Sequence, residues 1–174
     1  MPGERPPESI EGKRARLARA LQRRARETIE APLSFGQEQV WLADHLDRGS
    51  PLFNVTLSAR VRGALSEGFL RRAAASLAAR HESLRTTFAV RDGVPVQRIA
   101  PSVAPYLLFL DARELPGDGV TEKVERFVRA QVHTRFDLAE GPLLRMAMVR
   151  LPAEHHLVCF TAHHIVADGW SVHV

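Results

Sequence analysis

The chain has 174 residues, 45% hydrophobic and 25% charged, a globular balance that excludes wholesale disorder and low-complexity polymers. No apolar run approaches the ~20 residues of a bilayer-crossing helix, and Met1 to Ser9 is polar and Pro-rich, unlike a secretory signal. A single cysteine, Cys159, excludes an intrachain disulfide framework, so the expectation is a soluble protein of the reducing cytoplasm.

The net charge is +4, from 24 Lys and Arg against 20 Asp and Glu, with only Lys13 and Lys123 as lysines. Lys13, Arg14, Arg16, Arg19, Arg23, Arg24 and Arg26 crowd one stretch beside a single acid, Glu11, leaving the remainder slightly acidic. Such a stretch suits nucleic acid, a membrane surface or an acidic partner. Without aromatic interleaving or a nucleic-acid-reading motif, the expectation is neither nucleic acid nor membrane but a solvated helical linker.

The pattern predicts a helix from about Ile10 to Ile29 with a narrow apolar stripe at Leu17, Leu21, Ala25 and Ile29. Pro32 ends it and sets an expected boundary between a leading segment, 1–31, and a domain, 32–174. Ser34 and Gln37 have capping-box spacing for a helix carrying Val40, Trp41 and Leu42 to about Asp47, broken at Gly49-Ser50-Pro51. Phe53 to Arg62 alternates apolar and polar residues throughout, the mark of a half-buried strand.

Ser66 caps an expected helix with Phe69, Leu70, Ala73, Leu77 and Ala78 on its apolar side, ending near His81. Thr86, Phe88 and Val90 open a strand, Asp92-Gly93 turns it, and Pro95 assigns the returning strand to an edge. Tyr106 to Leu110 reads as a short strand, and Val120, Val124, Phe127, Val128 and Val132 as a helix. Leu143–Leu151 and His155–His164 read as strands joined at Pro152-Ala153-Glu154, the second apolar on both faces and therefore central. Mixed helices, strands and hairpins predict an α+β fold.

Adjacent side chains on a strand point to opposite faces, so His163 and His164 cannot both address one cavity unless the strand has ended. One is expected to be structural and the other available for chemistry. Asp168 and Gly169 follow, where a loop can bend back, with Gly169 free to take a conformation closed to other residues. Three readings stay open on spacing alone. One histidine does acid–base or proton-positioning work; His163, His164 and Asp168 ligate a metal; or the histidines are buried structural groups and Asp168 caps a turn. His155 and His156 are expected at the surface of the hairpin end.

His163-His164-Ile165-Val166-Ala167-Asp168-Gly169 resembles the HHxxxDG signature of condensation domains of nonribosomal peptide synthetases, within the chloramphenicol acetyltransferase-like superfamily. Leu33 to Leu42 resembles that family's opening LSxxQxxxW helix, and Arg80-His81-Glu82-Ser83-Leu84-Arg85-Thr86-Thr87-Phe88 its RHExLRTxF segment. Gly49 to Val55 also resembles it.

The resemblance implies the N-terminal lobe of a two-lobe fold with its active site in a tunnel between lobes. A full member is expected to be roughly two to three times this length, which predicts that residues 1–174 alone are inactive and expose an apolar docking face. It implies His164 as the catalytic histidine that orients or deprotonates an acceptor amine. That amine attacks a donor thioester held on the phosphopantetheine arm of a carrier protein, forming an amide. His163 is implied as structural, Asp168 as structural and paired with Arg85, and the Gly169 backbone as lying near the reacting carbonyl. Ser34, Gln37 and Trp41 are implied to hold the first helix against the core. No directly bound cofactor and no metal are implied. Partners are donor and acceptor carrier proteins, the second lobe and, through the basic helix, an upstream synthase. Two alternatives remain at this point: a non-catalytic carrier or docking module, and a coenzyme A-dependent acyltransferase of the same superfamily.

Overall fold

The computed structural model describes residues 9–24, 27–47, 50–114 and 117–173. The lead before Ser9, Ala25, Arg26, Gly49 and Val174 lie outside them. Helix α1 (Ile10–Arg24) starts where the Ser9 hydroxyl accepts the Gly12 amide at 3.1 Å. It stops short of the expected Ile29, and Leu17 of its stripe is exposed. Ile29–Pro32 instead forms β1, pairing antiparallel with Val96–Ile99. Three residues assigned to the leading segment, Ile29 to Ala31, thus belong to a sheet, because Ile29 and Ala31 share the inward side of a short strand.

Helix α2 (Phe35–Leu46) begins with the anticipated capping box: Ser34 Oγ accepts from Gln37 N, and Gln37 Oε1 accepts from Ser34 N at 2.8 Å. Strand β2 (Asn54–Arg62) leads to α3 (Glu67–Arg80), capped by Ser66, and a 3-10 turn at Glu82–Arg85. Strands β3 (Thr86–Arg91) and β4 (Val94–Ile99) form a hairpin whose turn residues Asp92 and Gly93 have φ of 52° and 80°. Then come β5 (Tyr106–Asp111), α4 (Gly117–His133), β6 (Leu144–Leu151) and β7 (His155–His163).

Two sheets result, a small one ordered β1-β4-β3 and a larger one ordered β2-β7-β6-β5. Strand β7 is internal, as its two apolar faces require, while β5 runs parallel to β6 with α4 as the crossover. Strand β4 lies between two neighbours, so Pro95 is not on an edge strand as expected; β1 ends opposite Val96, however, leaving Pro95 without a partner on that side.

Helix α3 covers one face of the large sheet, packing Leu70 and Ala74 on Met146, Met148 and Val158. Helix α4 lies on the other face, where the Asn54 amide donates to the carbonyls of Val132 and Thr134. Arg145 emerges on that same face beneath the C-terminal end of α4 and donates to the Gln131 and Thr134 carbonyls, satisfying groups the helix leaves unpaired. Its guanidinium also lies 3.9 Å from the Phe136 ring centroid. His156, expected at the surface with His155, is buried in β7 opposite Val61, because its side chain takes the α3 side of the sheet. A second cluster of Leu33, Phe88, Phe136, Leu138, Leu143, Ile165 and Val166, flanked by Val40 and Trp41, joins the two sheets.

Candidate functional site at the end of strand β7

Strand β7 closes its ladder with His163 N–H on the Leu143 carbonyl at 3.0 Å and His164 N–H on the Phe53 carbonyl at 2.8 Å. The chain then turns, with Val166 N–H returning to the His163 carbonyl at 3.0 Å. Ile165 and Val166 are buried in the cluster that also holds Leu33 of the opening segment and Phe88 of the second motif. All three motif segments therefore meet in one core. Anchored on either side by His163 and Ile165, the loop leaves His164 on the surface. The two histidines have opposite fates: His163 is 1% exposed and His164 is exposed.

His163 sits near the rings of Phe53 and Phe136, with centroid separations of 5.8 and 6.2 Å. Its Nδ1 accepts the Ile165 N–H at 3.2 Å, so the single proton of the neutral ring is on Nε2. Nε2 faces Asp44 Oδ1 at 3.4 Å, within charge contact but without an aligned hydrogen bond. Burial pushes its pKa below the usual 6.5 and outweighs the opposing pull of the Asp44 carboxylate. His163 is therefore neutral near pH 7.

His164 has the opposite tautomer. Its Nδ1 lies 3.1 Å from the Ala167 carbonyl oxygen, which only accepts, so Nδ1 carries the proton and Nε2 the lone pair. A neutral imidazole held in this way can accept a proton at Nε2 or receive a hydrogen bond from a substrate amine.

Asp168 and Arg85 do not meet as expected. Asp168 Oδ1 accepts from Ser171 N–H at 2.9 Å and from its hydroxyl at 2.8 Å, and so caps the short 3-10 turn at Trp170–His173. These bonds hold its carboxyl below the ordinary carboxylate range. Arg85 instead donates to the Ala100 carbonyl and, at 3.1 Å, to Glu82, because the 3-10 turn carrying it faces β4. Gly169 has no positive φ, and a Cβ there would meet nothing within 4 Å, so the expected special conformation is not used. Among the described residues no three His, Cys, Asp or Glu side chains converge as a metal site.

Asp44 and Arg135 are the site residues that sequence reasoning missed. Asp44, 2% exposed on α2, accepts from Arg135 Nη2 at 2.6 Å. Gln37, Val40, Trp41 and Asp44 recur at three- to four-residue spacing along α2, so an acid on the stripe of Trp41 was the available signal. Nothing in the sequence named its partner 91 positions away. Trp41 stacks on His45 with centroids 3.9 Å apart and packs against the core, as implied for it.

Beside the loop, on the α3 side of the sheet, lies a largely apolar groove of about 440 Å³. Its walls include Leu57, Leu77, Phe160, Val166 and Trp170, with Asp168 at its rim. Leu57 and Trp170 are 46% and 77% exposed, so the middle of the apolar face of β2 stays open, while Val55 and Val61 toward its ends are half-buried.

An α+β lobe that delivers a histidine from the end of an internal strand is the fold shared with solved condensation domains. The family model of the Condensation domain matches residues 27–174. The chain is 39% identical over 153 residues to phosphinothricin tripeptide synthetase PhsC of Streptomyces viridochromogenes, covering 88% of this chain and 14% of that protein. It is 40% identical over 143 residues to an isonitrile lipopeptide synthase of Mycobacterium tuberculosis, covering 81% of this chain and 6% of that protein. In structure it is similar to the starter condensation domain of rhizomide synthetase RzmA, with a TM-score of 0.75 at 24% identity over 83% of this chain and 35% of that one. The first condensation domain of the calcium-dependent antibiotic synthetase, in complex with a substrate analogue, aligns with a TM-score of 0.73 at 25% identity, covering 83% of this chain and 34% of that one. This chain belongs to the condensation-domain family and corresponds to its N-terminal lobe. It spans about a third of those solved structures and a far smaller share of the synthetases.

Proposed function

We propose that the chain serves as the N-terminal lobe of an amide-forming condensation domain, with His164 as its catalytic residue. The acceptor's amine attacks the thioester carbonyl of the donor, a C–N bond forms and the C–S bond breaks. The pantetheine thiol leaves with a proton, and the amine proton is taken or steered by His164 Nε2. The observation that carries this reading is the tautomer of His164: an exposed ring whose Nδ1–H is tied to Ala167, leaving Nε2 as the basic atom. His163 and Asp168 support the loop, and the backbone near Gly169 is available to the reacting carbonyl.

The donor and acceptor are presented by carrier proteins on phosphopantetheine arms. The open apolar groove beside the loop suits the second lobe as its cover. With His164 walled on one side only, the chain by itself is expected to give no turnover. The basic helix α1, which precedes the small sheet, suits an acidic upstream partner. The buried, unpaired Cys159 suits a reducing cytoplasm, and no helix among the described residues is long and apolar enough to cross a membrane.

The test is amide formation between loaded carrier proteins by a complete condensation domain carrying this lobe, with and without His164→Ala. A loss of about 100-fold or more is expected. An unchanged rate would return the chain to a non-catalytic docking role. A rate sustained by coenzyme A thioesters as well as by carrier-bound ones would favour the wider acyltransferase reading.

A further inference from the structure

Two imidazoles adjacent in sequence are locked in opposite tautomers, and a buried carboxylate touches only one of them. We infer that Asp44 is a positioning residue for His164, acting through the tautomer of His163. The inference deepens the condensation reading and takes its chemical meaning from it, but its structural content can be tested without turnover.

The chain of contacts runs from α2 to the surface. Asp44 is held in place by Arg135, whose Nη2 reaches Asp44 Oδ2 at 2.6 Å and the Asp44 carbonyl at 3.3 Å. This leaves Oδ1 facing His163 Nε2 at 3.4 Å. A carboxylate there stabilises a proton on Nε2 and opposes the alternative ring, whose Nε2 lone pair would face negative charge. With the proton on Nε2, Nδ1 keeps its lone pair and accepts Ile165 N–H. Were the proton on Nδ1, two donors would face each other and the Ile165 amide would be left buried without a partner.

Ile165 is the hinge of the arrangement. Its amide is tied to His163 and its side chain is buried in the core, and the same turn closes with Val166 N–H on the His163 carbonyl. That turn directs His164 outward and brings the Ala167 carbonyl to its Nδ1 at 3.1 Å. Asp44 therefore acts through one ring and one amide on the turn that ties His164 Nδ1 to Ala167 and so leaves Nε2 as the basic atom. A plain apolar residue at position 44 could pack the helix, but it could not choose the His163 tautomer.

The experiment is two-bond 1H–15N correlation of the imidazoles in the 174-residue chain, with amide hydrogen exchange at Ile165, for wild type and Asp44→Asn. Wild type is expected to show His163 protonated on Nε2 and His164 on Nδ1. In Asp44→Asn, an asparagine that keeps its oxygen on Arg135 turns its NH2 toward His163. The His163 signal is then expected to move toward the Nδ1–H form, and Ile165 exchange to quicken about tenfold, the loss of one buried hydrogen bond. His164 is expected to lose its Nδ1–H preference in the same variant. A wild-type His163 protonated on Nδ1 would overturn the inference even if the variant does not fold. So would an Asp44→Asn chain with wild-type imidazole spectra and wild-type exchange at Ile165. Failure of the condensation assay with these spectra as expected would count against the proposed function and leave the role of Asp44 standing.

Discussion

A histidine enclosed between two phenylalanine rings is a proton site that folding makes less basic, and this has a consequence for stability. The pKa of His163 is lowered in the folded chain from its ordinary 6.5, while the unfolded chain retains the ordinary value. As pH falls through 6.5 the unfolded state binds the proton first, so stability that is complete above that pH declines below it. The charges facing the ring are Asp44 and Arg135, with His164 beside it, and burial exceeds them all. The urea midpoint is expected to be lower at pH 5.5 than at pH 7.5, and His163→Gln is expected to flatten that difference. A midpoint that rises on acidification would contradict the sign. Asp111, held at about 2 by Arg113, stays ionised throughout this window and does not confuse it.

At the scale of elements, the loop after α4 holds the two sheets together through one tightly placed glycine. Leu138 accepts the Phe88 amide at 2.7 Å, and Asp137 Oδ1 accepts the amide of Ala139 at 2.8 Å. Gly141 follows with φ of +63°, and a Cβ there would stand 2.9 Å from Thr87 Cγ2. Gly141→Ala is expected to cost about 1–3 kcal/mol in chemical denaturation, from backbone strain and the displaced threonine. Gly36→Ala is the contrast: in the first turn of α2 its Cβ would meet nothing within 4 Å, and it is expected to be neutral or stabilising by up to about 1 kcal/mol. Equal losses at both positions would refute the geometric argument. Elements whose cause is local were legible in the sequence, as the capping box of α2 and the hairpin at Asp92-Gly93 illustrate. Strand β1 was not, because four residues gain their hydrogen bonds from a partner strand more than sixty positions away.

For the molecule as a whole, the consequence lies in the surface that β2 and α3 leave open. Strand β2 is an edge of its sheet, and Leu57, Leu77 and Trp170 border an apolar groove beside the His164 loop. An uncovered edge carrying such a face favours self-association. Leu57→Lys is expected to leave the unfolding free energy within about 0.5 kcal/mol of wild type, since the side chain is already half in water. It is also expected to reduce hydrophobic-dye fluorescence and light scattering of the chain. Unchanged dye binding and scattering would place the exposed apolar surface elsewhere.

The amino-acid order by itself determined what depends on period and short-range bonding: the α+β class, the alternation of β2, the internal place of β7 and the division of labour imposed on two adjacent histidines. The motif strings added the family and the loop that bears His164. Only the tertiary structure decided that Asp44 and Arg135 stand behind the buried His163, that Arg85 serves Ala100 and Glu82 rather than Asp168, and that Leu57 in the middle of β2 stays open. The reason is physical. A helix cap or a strand period is written within a few residues, whereas the partner of a buried charge is whichever group the packed sheets and helices bring within reach, and spacing along the chain carries no measure of that distance.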